Sequence, residues 1–173
     1  MITGKPLLTT EQIQSKVIEL AHRISNDYKG KELVMIGLLR GSFIFFADLV
    51  RHIKVPVVID FLTASSYLQT TTTGEVKIHC DIREDIENRD VIVVDDIIDT
   101  GISLNLVRER LLMRSPASLK ICVLLDKEDR RVVDVPVDYV GYKIPDEFVV
   151  GYGLDYENHY RNLPHIAIFK RAN

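Results

Sequence analysis

The sequence predicts an α/β fold: a mostly parallel, twisted sheet flanked by helices, with a small C-terminal hood lobe over the carboxyl end of the sheet. Three observations carry this. Apolar strand-like runs alternate with stretches of helical periodicity from Leu33 to Leu125, the β-α-β order of a parallel sheet. Val91-Ile92-Val93-Val94 is an unbroken β-branched run, as in a strand buried on both faces. From Val132 onward the pattern shifts to short apolar runs separated by Pro136, Pro145, Asp155 and Pro164. A chain of 173 residues, 46% hydrophobic and 27% charged, suits one domain with a substantial core. Its core is expected at about 30–130, and its hood at about 131–173 plus the N-terminal helix.

Each element has its own justification. Thr9 and Gln12 are placed for a capping box, and Ile13, Val17, Leu20, Ala21 and Ile24 recur on one helical face until Lys29-Gly30. Glu32–Leu38 reads as a strand, Arg40-Gly41-Ser42 as a turn, and Phe43–Ile53 as a helix with Phe46, Ala47 and Val50 inward. Val57–Leu62 is another apolar strand. The polar stretch Thr63–Glu75 leads to a strand at Val76–Ile82, and Asp81–Asp90 reads as a solvated turn. Next come the Val91 strand, a helix carrying Leu104, Val107 and Leu111 to about Arg114, and a strand near Leu119–Leu125. Short strands near Val137–Tyr142, Phe148–Val150 and Ile166–Phe169 complete the lobe.

Composition excludes several function classes. A net charge of −3 offers no cationic excess for releasing counterions from nucleic acid, so no nucleic-acid partner is expected. An anionic ligand must be met by a few placed cations and by metal. No apolar run approaches membrane-spanning length and the N-terminus lacks a signal-like apolar core, so a cytoplasmic protein is expected. Cys80 and Cys122 read as reduced, buried thiols, and the five scattered His predict no zinc site.

The segment Val91–Ser103 is the most informative. A strand runs into Asp95 and Asp96, Asp99-Thr100-Gly101 turns the chain, and Ser103 enters a helix. The backbone N–H groups of such a turn, with the helix dipole, suit a phosphate. Three carboxylates beside that site would repel phosphate alone. A phosphorylated sugar accompanied by Mg²⁺ satisfies the whole set. A Walker B strand is disfavoured, because no G-x-x-x-x-G-K-[ST] exists. Gly151-Tyr152-Gly153 is the only G-x-G, and Tyr156 stands where a dinucleotide fingerprint wants its third Gly. Ile-Ile-Asp-Thr-Gly also resembles an aspartic-protease turn, which needs a second copy. An acidic loop closing a strand is the bland reading of the same residues.

The segment resembles the 5-phosphoribosyl-1-pyrophosphate (PRPP) motif of type I phosphoribosyltransferases. From about Leu33 to Phe169 the chain is similar to the hypoxanthine-guanine phosphoribosyltransferase family. The resemblance implies that Asp99, Thr100, Gly101 and Ser103 hold the ribose 5-phosphate. It further implies that Asp95 and Asp96 accept from ribose hydroxyls directly or through Mg²⁺, and that Asp99 is the general base at the purine imidazole. Arg40 and Gly41, in a loop whose Leu39–Arg40 bond is often cis in the family, would bind pyrophosphate with Arg161. Phe148 and Ile97 would sandwich the purine, and the Val149 backbone would read its edge. Asp155 would join a second Mg²⁺. Ser66 and Tyr67 would sit at the working end of a closing loop. Lys127 would read the 6-oxo group, since an ammonium only donates hydrogen bonds; the rest of the Asp126–Arg131 charge run reads as a solvated face.

The implied reaction is Mg²⁺-dependent transfer of 5-phosphoribosyl from PRPP to N9 of hypoxanthine, and of guanine, giving IMP or GMP and pyrophosphate. A transferase for xanthine or a pyrimidine, and a PRPP-sensing nucleic-acid-binding regulator, are the alternatives. The apolar Phe43-Ile44-Phe45-Phe46 run exceeds what one helix face buries, so a homodimer or homotetramer is expected.

Overall fold

The computed structural model describes residues 1–2, 4–66 and 76–170. Its main sheet has strand order β3-β2-β1-β4-β5-β6. These strands are β1 (Leu33–Leu39), β2 (Val57–Ser66), β3 (Val76–Cys80), β4 (Asp90–Ile98), β5 (Ser118–Asp126) and β6 (Tyr139–Lys143). All neighbours run parallel except the β2–β3 pair. Helices α1 (Thr10–Asp27), α2 (Phe43–His52) and α3 (Ile102–Leu112) supply the crossovers and cover.

Period-two alternation explains why the central strands are apolar throughout. Leu33, Met35, Ile92, Val94, Cys122 and Leu124 point into one core with α1 and α2. Val34, Ile36, Val91, Val93, Ile121 and Val123 point into a second core with Leu104, Val107 and Leu111 of α3. Helix α1 starts with the expected capping box: the Thr9 hydroxyl accepts from the Gln12 N–H, and the Gln12 side chain accepts from the Thr9 N–H.

Several local expectations are corrected. Tyr139–Lys143 is not part of the lobe but extends the main sheet beside β5. The lobe's own sheet is the antiparallel pair β7 (Val149–Val150) and β8 (Ala167–Ile168). Helix α1 packs on α2 and β6, while Ile2 and Leu8 ahead of it bridge to Phe169 and Ile166. In α2 the buried side chains are Phe45, Phe46 and Leu49, and Ala47 is exposed. The charged connection after β3 is no solvated turn: Ile82 and Ile86 are buried, and Asp81 accepts from Arg110 and Arg114 at 2.6 and 2.7 Å. Cys80 is exposed; only Cys122 is buried, where burial pushes its thiol far above the ordinary range.

The strand order reverses direction between β1 and β4. The crevice outside their carboxyl ends is where an open α/β sheet binds ligands.

Candidate active site

Register places the site. Ile98 of β4 lies beside Asp126 of β5, which lies beside Lys143 of β6, so three loops leave the sheet side by side. The Lys127 N–H donates to the Ile98 carbonyl at 3.0 Å, and the Ile144 N–H to the Asp126 carbonyl at 2.9 Å. These bonds lock the loops together just beyond the strands. Asp99 and Lys127 therefore face one cleft although 28 positions apart.

That cleft has a volume of about 490 Å³. From β1 it is lined by Leu38, Leu39 and Gly41; from β4 by Asp95, Asp96, Ile97 and Asp99. Lys127 closes it from β5, and Phe148, Val149, Asp155 and Arg161 from the lobe. A smaller cavity of about 120 Å³ continues it, bounded by Asp99, Thr100, Gly101, Ser103 and Leu104. Gly101 caps α3 with φ of 83°, a left-handed conformation that turns the chain into the helix. Thr100, Gly101, Ser103 and Leu104 place the start of α3 against this cavity, and a helix N-terminus is an arrangement that receives a phosphate.

Asp95 and Asp96 sit side by side, Asp96 buried and Asp95 half-buried. Burial, with the neighbouring Asp96 charge, pushes the Asp95 carboxyl well above the ordinary carboxylate range. Burial also raises Asp96, against hydrogen bonds from Asp95 and the Ile97 amide. Gly41 leaves room for this pair, because a Cβ at position 41 would lie 1.9 Å from Asp96 Oδ2.

The Leu39–Arg40 peptide is cis, as the resemblance implies. Arg40 itself is exposed and does not line the cleft. Arg161 pairs with Asp155 at 2.6 Å and donates to the Gly153 carbonyl at 2.6 Å. The second Asp155 oxygen accepts from the Asn158 N–H at 2.8 Å. Among the described residues no three His, Cys, Asp or Glu side chains gather into a metal cage. Asp95 and Asp96 thus stand as a pair, with Asp155 occupied separately across the cleft.

Phe148 is 45% exposed although its neighbour Val149 is 5% exposed, and it leans edge-on against Tyr156 and Phe169. A large aromatic side chain held open in a cleft suits a flat, apolar ligand face. Lys127 is 7% exposed, rare for lysine. Ser66 is the last described residue of β2, with nothing described of its side chain, and Tyr67 lies outside the described residues.

The charge run after β5 departs from a solvated face. Asp126 is buried and paired with Arg131 at 2.7 Å, and the Arg130 Nε donates to Asp99 Oδ1 at 3.0 Å. Arg130 and Asp146 were not singled out in the sequence. Arg130 carries a faint signal, since a helical turn puts it three residues past Lys127. Asp146 carries none, because its approach depends on the β5–β6 register. Val107, Ala64 and Leu154 also line the cleft; in the sequence Val107 reads as a core position of its helix and Ala64 as part of the polar stretch Thr63–Glu75.

Residues 5–157 match the family model described as "Phosphoribosyl transferase domain". The chain is 53% identical over 168 residues to a hypoxanthine phosphoribosyltransferase of Salmonella typhimurium, covering 95% of this chain and 94% of that one. It is 47% identical over 167 residues to a hypoxanthine-guanine phosphoribosyltransferase of Streptococcus mutans, covering 96% and 93%. The crystal structure of a hypoxanthine-guanine phosphoribosyltransferase from Bacillus anthracis superposes with a TM-score of 0.94 at 52% identity, over 98% of this chain and all of that one.

Proposed function

We propose a reaction and side-chain roles from one premise: the chain belongs to the phosphoribosyl transferase domain family. It is a purine-salvage enzyme that transfers 5-phosphoribosyl from PRPP to N9 of hypoxanthine, and of guanine, releasing pyrophosphate with inversion at the anomeric carbon. The observation that carries the base assignment is Lys127, buried in the same cleft as Asp99 and the open ring of Phe148. A buried donor-only group favours a 6-oxo over a 6-amino purine. The whole chain, 1–173, acts as one phosphoribosyltransferase unit.

Thr100, Gly101 and Ser103 receive the 5-phosphate at the start of α3, with Asp99 shaping the turn. Asp95 and Asp96 accept from the ribose hydroxyls and, as carboxylates, stabilise positive charge growing at the anomeric carbon. Their mutual crowding supports a divalent cation: Mg²⁺ would be held by Asp95 and Asp96, with water and substrate oxygens completing its shell. When bound, Mg²⁺ neutralises charge on the departing pyrophosphate. Asp155 would hold a second Mg²⁺ once Arg161 turns to the pyrophosphate, which Gly41 meets from the other side; Arg40, exposed outside the cleft, would swing in to join it. Phe148 and Ile97 stack on the purine, the Val149 backbone reads its edge, and Asp99 takes the imidazole proton. Holding both substrates in line supplies much of the acceleration.

Self-association, as a homodimer or homotetramer, is supported by Phe43, Ile59 and Phe61, which leave 44%, 50% and 36% of their surface exposed. Sedimentation velocity of the purified chain reads this directly. A cytoplasmic setting fits the unpaired thiols Cys80 and Cys122. The deciding experiment incubates the protein with PRPP, Mg²⁺ and each free base in turn. IMP and GMP should form, and AMP should not; nucleotide from adenine alone would overturn the assignment.

A further inference from the structure

Four charges close a ring at the mouth of the cleft. Lys127 Nζ lies 3.9 Å from Asp99 Oδ2 and 3.7 Å from Asp146 Oδ1. Arg130 completes it, with Nη1 3.6 Å from Asp146 Oδ2 and Nε 3.0 Å from Asp99 Oδ1. Cations and carboxylates alternate, and the ring carries no net charge. The side chains come from the ends of three adjacent strands, so the sheet register sets the spacing.

The ring is uneven. The Arg130–Asp99 contact is a hydrogen bond, whereas both Lys127 contacts exceed hydrogen-bond length. The buried ammonium is therefore drawn from both sides and gripped by neither. With Asp146 neutral, the pull on Lys127 would come from Asp99 alone, and the two would close into a direct pair. That pair would consume the donor meant for the purine oxygen and the acceptor meant for the imidazole proton. Arg130 works against the same collapse from the other end, since it holds Oδ1 and fixes which way the Asp99 carboxylate faces.

Resting on the roles given above to Asp99 and Lys127, we infer that Asp146 and Arg130 are positioning residues for the purine: they hold the base-reading lysine and the catalytic carboxylate apart and ready. Neither lines the main cleft or the smaller cavity at the start of α3, and Arg130 meets that side only through the Asp99 carboxylate. Their effect should therefore fall on the purine and spare PRPP.

The test is steady-state kinetics on Asp146→Asn, Asp146→Glu and Arg130→Gln, with both substrates varied. Asp146 and Arg130 side chains are about half exposed, so the variants should fold, and a thermal melt checks this. The hypoxanthine KM should rise about five-fold or more in Asp146→Asn and Arg130→Gln, the scale of one ion pair. The PRPP KM should stay unchanged, and Asp146→Glu should restore the purine KM. In a Lys127→Ala background, Asp146→Asn should add nothing, because its route of action is gone. An unchanged purine KM, an equal rise for PRPP, or the full effect surviving in the Lys127→Ala background overturns the inference alone. Failure of the unmodified protein to make IMP at all removes the roles of Asp99 and Lys127, and this inference with them.

Discussion

Gly41 packs directly against Asp96, so that a Cβ at position 41 would fall 1.9 Å from one carboxylate oxygen and 2.6 Å from its carbon. The loop after β1 and the acid pair of β4 are thereby fitted to each other across the crevice. Gly41→Ala must turn the buried Asp96 carboxylate or lift the loop. Displacements of this size at a reacting centre cost about a hundred-fold, and kcat/KM for PRPP should fall on that scale. A melting temperature within a few degrees of the parent would show that the loss is local.

Asp99 offers its carboxylate to the cleft and is steadied by Arg130. Asp99→Ala should lower kcat by about 10²–10⁴-fold, the range of a lost general base, with little change in hypoxanthine KM. Stopped-assay turnover at saturating substrates measures this. Parent-like kcat would strip Asp99 of its role.

Lys127→Ala should blur the discrimination between oxo and amino purines. The ratio of hypoxanthine to adenine kcat/KM should drop by about ten-fold to a hundred-fold, the cost of mismatching one buried donor. Competition between the two bases in one reaction gives the ratio directly.

At the amino end of the sheet, Asp90 tests stability and not activity. The Ser118 hydroxyl, against the opposing effect of burial and with help from Lys31, holds its carboxyl below the ordinary 3.8. A depressed folded value stabilises the protein fully above the unfolded value and loses that contribution as pH falls through the folded one. Ser118→Ala should cost about 1–2 kcal/mol at neutral pH and progressively less as the solution is acidified below pH 3.8. Urea unfolding at several pH values reads the difference, and a pH-independent loss would contradict this origin.

Much of the fold was legible because local chemistry and tertiary position agree. Thr9 and Gln12 cap α1 as their spacing implies, and Val91–Val94 is buried on both faces. The segment Asp95–Ser103 announced strand, turn and helix, and these residues do share one wall of the cleft. Register was not legible. Tyr139–Lys143 resembles the short strands of the lobe, and only pairing with β5 draws it into the main sheet. The charge run after β5 misled for the same reason: Asp126 and Arg131 look solvated until each meets the other. Cys80 sits in a strand, but at the edge of the sheet, where one face lacks cover.

The alignment of Ile98, Asp126 and Lys143 across three neighbouring strands also separates two tasks in space. In the proposed roles, Thr100, Gly101 and Ser103, which take the phosphate, follow β4, whereas Lys127 and Phe148, which meet the incoming base, follow β5 and β6. The loops beyond β5 and β6 could thus be rewritten to retarget the enzyme to a different heterocycle, leaving both apolar layers and the donor half of the reaction untouched.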